Sequence, residues 1–252
     1  MAAGVKPGAE VWYLYGISEA RTFPAVGDVG VASSAVLPVE CDGLTCWISK
    51  VSAEEFDHRL ADNMQNLDWI AKTSVAHQRA VSAIAAGTDL LPARLATVFC
   101  SRESLTGHIR KHAVGFRRDL DRVKDAREWG IKVFAVESSP GLPKKIRSGK
   151  DYLKAKAALL PKPQKGLRAS SQAGELAREL ESVAIESAAP GKVSSGQKGL
   201  AFQTTILVKR KDEKKLQSIL AELSRRWNGT WKIECSGPWP PYSFVSRLEP
   251  EA

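Results

Sequence analysis

His108 and His112 lie four residues apart in a stretch whose apolar spacing predicts a helix, so both rings could face one metal ion. A zinc protease built this way carries Glu directly after the first histidine. Here that residue is Ile109, and no carboxylate stands at a suitable third-ligand spacing. The pair reads instead as two surface histidines beside Arg110 and Lys111. His77 falls on the apolar stripe of a second predicted helix, where a histidine is a core or interface residue hydrogen-bonded to a neighbour. No serine elbow and no catalytic-cysteine pattern accompanies it. Ser148-Gly149-Lys150 ends like a phosphate loop, but Lys144 stands at the first glycine position and Asp151 at the last hydroxyl position. No GxGxxG occurs, so nucleotide binding has no support. Cys41, Cys46, Cys100 and Cys235 are few for 252 residues and default to free thiols in a reducing compartment. The CDGLTC spacing is not that of a CxxC pair, and Asp42-Gly43 suits a turn. The residues therefore call for no catalytic group, no cofactor and no metal.

What remains is binding. Thirty-seven Lys and Arg against 28 Asp and Glu give a net charge of +9. Nearly all of the surplus sits in residues 143–168, where Lys144, Lys145, Arg147, Lys150, Lys154 and Lys156 are joined by three further cations against Asp151 alone. Such a patch suits docking on an acidic protein surface or on phosphates. A nucleic-acid-binding accessory protein is therefore the alternative function. Against it, the segment holds one aromatic, Tyr152, and matches no recognisable nucleic-acid-binding motif. The run SGPWPPYSFV (236–245) carries three prolines that cannot donate backbone hydrogen bonds, so it is neither helix nor inner strand. Trp239, Tyr242 and Phe244 are costly to leave in water, and an extended tail laying them into grooves of its own protein accounts for them.

These residues must be positioned by a mixed α+β chain. At 43% hydrophobic and 26% charged the composition is that of a soluble globular protein. No window approaches the roughly 18 uninterrupted apolar residues of a membrane span, and the first ten residues lack a secretory layout, so no membrane is expected and the cytosol is. Residues 11–17, 29–39 and 44–51 read as strands, the last two joined at Asp42-Gly43. Ser52-x-x-Glu55 reads as a capping box opening a helix. In 66–86, Leu67, Ile70, Ser74, His77, Val81 and Ile84 form one stripe, and in 101–127 Leu105, Ile109, Phe116, Leu120 and Val123 form another. Residues 90–99 are extended. Arg94, among apolar neighbours there, reads as a structural anchor paired with a buried carboxylate, with His77 in the same network. Trp129, Trp239, Tyr242 and Phe244 are the other anchors. From 131 the order is strand, helix over 173–187, strand over 200–208, helix over 212–226 and strand over 230–235, most of a ferredoxin-like sandwich. The organisation expected is an N-terminal α+β domain over 1–128, a modified ferredoxin-like α/β sandwich over 129–236 with the basic insertion, and a tail over 237–252 packing back on the protein.

YLYGI (13–17), LDWIAKTSVAHQRAV (67–81), LLPARLATVF (90–99), EWGIKV (128–133) and GPWPPYSF (237–244) occur in the order found in one family. Together they resemble the gas vesicle protein L/F family (GvpL/GvpF) over nearly the whole chain. The family usually shows Arg-Phe-Gly-Thr where Arg94-Leu95-Ala96-Thr97 stands here, which suggests a less tight turn, and commonly Glu where Gln78 stands. The resemblance implies a two-domain α+β fold and no enzymatic activity. It implies an accessory or minor structural protein at gas vesicles in the cytoplasm, contacting the major shell protein (gas vesicle protein A) and other accessory proteins.

Overall fold

A computed structural model describes residues 9–19, 26–136, 171–188 and 197–246. Aromatic and branched residues dominate β1 (Glu10–Ser18), which pairs antiparallel with β3 (Leu44–Ser52). β2 (Leu37–Cys41) pairs with β3 through the hairpin at Asp42 (φ 54°) and Gly43 (φ 74°), the two positive φ values that a type I′ turn requires. Two short strands, β4 (Leu91–Pro92) and β5 (Val98–Phe99), lie against the other edge of β1. The register of β1 shifts between Leu14 and Gly16, where a Cβ on Gly16 would stand 2.5 Å from the Leu91 carbonyl oxygen. Only glycine lets the chains approach so closely.

Alternation along β1 and β3 turns Tyr13, Tyr15 and Trp47 to one face, where they pack with Ala80, Val81 and Ile84 of α2 (Leu67–Gly87). The Asn66 side chain caps α2 by accepting from the Asp68 and Trp69 amides at 3.0 and 3.2 Å. Full burial within α2 starts at Thr73: Leu67, expected inside, is 80% exposed, while Trp69 of the same turn packs against the core. On the alternate positions Leu14 and Ile48 face the other way, and α3 (Arg102–Val123) lies against β1, β2, β4 and β5. Its expected inner residues Leu105, Ile109, Phe116, Leu120 and Val123 are all buried. No capping box forms at Ser52: that residue still belongs to β3, opposite Glu10, and a π-helical turn, Glu54–His58, follows before the single-turn α1 (Leu60–Asn63).

The second sheet has the order β7-β8-β6-β9, with β6 (Ala126–Ala135), β7 (Ala184–Ala188), β8 (Leu200–Lys209) and β9 (Trp231–Trp239). α4 (Ser171–Glu181) follows β6, and α5 (Glu213–Arg226) follows β8. The element order is thus strand, helix, strand, strand, helix, strand. The expected helix over 173–187 stops at Glu181, and the residues after it form a strand paired antiparallel with β8. Leu176, Leu180, Leu216, Leu220 and Leu223 pack with Trp129, Ile131, Val133, Ile206 and Val208 in this core. Contacts divide the chain into two compact units, one of Met1–Glu128 with Pro238–Ala252 and one of Trp129–Gly237.

Candidate functional site

The first unit gathers a buried polar cluster around His77, which is 4% exposed. Its Nδ1 lies 2.9 Å from the Tyr13 hydroxyl and its Nε2 3.1 Å from the Ala93 carbonyl oxygen. A carbonyl only accepts, so Nε2 carries the proton and Nδ1 accepts from Tyr13. Tyr13 in turn accepts the Ala96 amide at 3.0 Å. The Tyr242 hydroxyl stands 3.4 Å from Nε2 and donates to Gln78 Oε1 at 3.3 Å. Burial lowers the His77 pKa to about 4, with the hydrogen bond to Ala93 opposing, and burial pushes the Tyr13 and Tyr242 hydroxyls up. At neutral pH all three groups are neutral and mutually satisfied, an arrangement that fixes β1, α2, the 93–97 turn and the tail rather than moving protons. Sequence reasoning placed His77 in the core but missed Tyr13. The signal was available: alternation sets Tyr13 and Tyr15 on one core face, and each buried hydroxyl then requires a partner. Tyr15 donates to Ser49 Oγ at 2.9 Å and accepts the Val31 amide.

Arg94 is exposed, in a turn over residues 94–97 in which its carbonyl oxygen accepts from the Thr97 amide and hydroxyl at 3.3 and 2.9 Å. Ala96 sits in this turn at φ 62°, the left-handed region that favours glycine. The turn keeps a glycine geometry without the glycine, at a cost of roughly 1–2 kcal/mol. Ala96→Gly is therefore expected to stabilise the chain by about 1 kcal/mol in urea unfolding, opposite to the usual effect of adding glycine. A loss of stability would show the turn unstrained.

The tail after Pro238 belongs to the same unit. Glu128 accepts the Ser243 amide at 2.7 Å and its hydroxyl at 2.9 Å, and burial raises its carboxyl while the bonds to Ser243 lower it. Asp119, 2% exposed, accepts the Ser246 amide at 2.7 Å and pairs with Arg122 at 2.9 Å. Arg122 also donates to the Phe244 carbonyl oxygen. Phe244 is 2% exposed and Tyr242 packs on the aromatic core of α2 and β1. Trp239 differs from the expectation: it is 43% exposed at the end of β9, an edge strand, because the buried Pro240 and Pro241 take the inward positions that follow. Trp129 lies in the core of the second unit at 7% exposure. Lys144, Lys145, Arg147, Lys150, Lys154 and Lys156, with the whole of 143–168, lie outside the described residues.

His108 and His112 are half-buried rather than on the surface. Their rings lie 4.7 Å apart and pack on Phe99 and Phe116. Among the described residues no three His, Cys, Asp or Glu side chains come together to hold a metal, and no helix is long and apolar enough to cross a membrane. A groove of about 320 Å³ opens beside β5, lined by Val11, Phe56, Leu60, Val98 and Phe99 with Asp57 among them.

These features define a mixed α+β protein with two antiparallel sheets whose buried polar groups hold its own chain together. The family model described as gas vesicle synthesis protein GvpL/GvpF matches residues 11–246. The chain belongs to that family, and its role is gas vesicle-associated. It is 28% identical to gas vesicle protein L of Streptomyces sp. (strain CB03234), across 94% of this chain and 93% of that one. Its fold is similar to the crystal structure of GvpF from Anabaena sp. PCC7120, with a TM-score of 0.69 at 18% identity, covering 94% and 96% of the two chains. GvpF from Microcystis aeruginosa is similar with a TM-score of 0.67 at 17% identity, covering 94% and 99%.

Proposed function

We propose that this protein is an accessory, minor structural component of cytoplasmic gas vesicles. It binds the major shell protein, gas vesicle protein A, and other accessory proteins to support assembly, and it catalyses no reaction. The observation that carries this reading is the family match across residues 11–246. The apolar groove of Phe56, Leu60, Val98 and Phe99 supports it as a place for an apolar partner segment. Lys144, Lys145, Arg147, Lys150, Lys154 and Lys156 would steer the chain to acidic patches. In this reading residues 1–128 form the first domain and 129–236 a ferredoxin-like one, whose β-α-β-β-α-β order and strand order support it, while 237–252 pack back as a tail.

Co-expression with the shell protein and affinity pull-down at low and high salt tests this. Recovery that weakens with salt implicates the basic segment, and recovery indifferent to salt moves the contact to apolar surfaces. No recovery of any gas vesicle protein from folded bait would overturn the reading, and steep salt-dependent retention on DNA or RNA would replace it with the nucleic-acid alternative.

A further inference from the structure

The outer face of α3 combines an apolar point with concentrated positive charge. Val114 is 86% exposed. Arg110, Lys111, Arg117 and Arg118, three and four residues to either side, are all exposed and surround it. Two of these cations are anchored within the chain: Arg110 Nε stands 3.3 Å from Asp42 Oδ1, and Arg117 donates to the Asp42 carbonyl oxygen at 3.1 Å and lies 3.7 Å from Glu19 Oε1. The same helix carries Gly107 and Gly115 in its interior, and a Cβ built at either meets nothing within 4 Å. Glycine weakens a helix interior relative to alanine, so no described neighbour within the chain requires these two. Gly107, Arg110, Val114, Arg117 and Asp121 follow alternating three- and four-residue steps, the seam along which a second helix packs. Missing Cβ atoms let its backbone come close.

We infer that this face of α3 docks an acidic, amphipathic helix of a partner protein. Charge complementarity sets the sign: Arg110 and Arg117 are paired with Asp42 and Glu19, and the exposed Lys111 and Arg118 beside Val114 call for carboxylates flanking an apolar stripe. The outward residues include no aromatic ring, so bases would find no stacking platform and a protein is favoured over a nucleic acid. That the partner is a gas vesicle protein rests on the function proposed above; the docking surface itself does not.

The full chain is titrated, at two salt concentrations, with a labelled synthetic helix bearing a Leu/Ala stripe flanked by Glu. A scrambled peptide and a Lys-for-Glu counterpart serve as controls. The Glu peptide should bind more weakly as salt rises. K111E/R118E, changed only at exposed positions, should weaken binding about tenfold or more and accept the Lys peptide instead. G107A/G115A should raise the melting temperature by a few degrees while weakening binding. Equal binding of the scrambled peptide, indifference to K111E/R118E, or tighter binding of a single-stranded oligonucleotide lost in K111E/R118E would each overturn the inference. In co-expression, a photo-crosslinking residue in place of Val114 should join an acidic helical segment of a gas vesicle protein. Recovery of such proteins without that adduct sinks the surface and spares the function. Peptide binding with no gas vesicle protein recovered does the reverse.

Discussion

Between pH 7 and pH 4 the wild-type chain is expected to lose about 3 kcal/mol more unfolding free energy than a His77→Gln variant. The imidazole titrates at about 4 when folded against 6.5 in the unfolded reference. As pH falls through 6.5 the unfolded chain takes up a proton that the folded chain refuses. Stability from the neutral histidine is therefore complete above 6.5 and disappears as pH falls to about 4. Tyr13 and Tyr242, the hydroxyls nearest the ring, are pushed upward and stay neutral throughout this window. Glu128, raised by burial, acts in the opposite sense, but it is present in both proteins and cancels in the difference. Urea unfolding at a series of pH values measures the two curves. Parallel curves would mean that His77 takes up its proton as readily inside the fold as outside it.

Phe244→Ala is expected to cost about 3–4 kcal/mol, the range for removing a buried aromatic ring and leaving a cavity. The ring is 2% exposed, and its own carbonyl oxygen is held by Arg122 while Glu128 and Asp119 hold Ser243 and Ser246 on either side. The polar clamp thus positions the backbone, and the ring supplies the burial. Ser243→Ala, which removes a hydroxyl donor but keeps the amide bond to Glu128, should cost only about 1 kcal/mol. Equilibrium denaturation compares them. If Phe244→Ala melted like wild type, the tail would be a detachable peptide rather than part of the first unit.

Periodicity was legible wherever an element met one broad apolar surface. Along α3 the three- and four-residue spacing of Leu105, Ile109, Phe116, Leu120 and Val123 names the buried side in full. Along α2 the same rule names the side but not where the core begins, so Leu67 is exposed although it is in phase. β7 was hidden because Ala184–Ala188 is short and weakly patterned, and its strand character comes from pairing with β8. His77 could be assigned to a core from its stripe, but its partners could not: Tyr13 lies 64 residues away in sequence and Tyr242 165. The apolar neighbours of Arg94 suggest burial, yet the residue is exposed, because the turn that holds Ala96 at positive φ lies at the surface there. The carboxylates that hold the tail, Asp119 and Glu128, stand 127 and 115 residues from the amides they accept, and no local pattern announces so distant a pairing.

That distance has a consequence for how the protein is made. Asp119 and Glu128 leave the ribosome well before Ser243 and Ser246, with Trp129–Gly237 still to be translated in between. At about 5–20 residues per second, that stretch alone takes on the order of 5–20 s. Throughout this interval Glu128 and Asp119 lack the Ser243 and Ser246 amides, and the residues that bury Phe244 lack its ring. A premature stop before residue 244 is therefore expected to leave the first unit without this contact and more open to proteases, although the second unit, Trp129–Gly237, is translated in full.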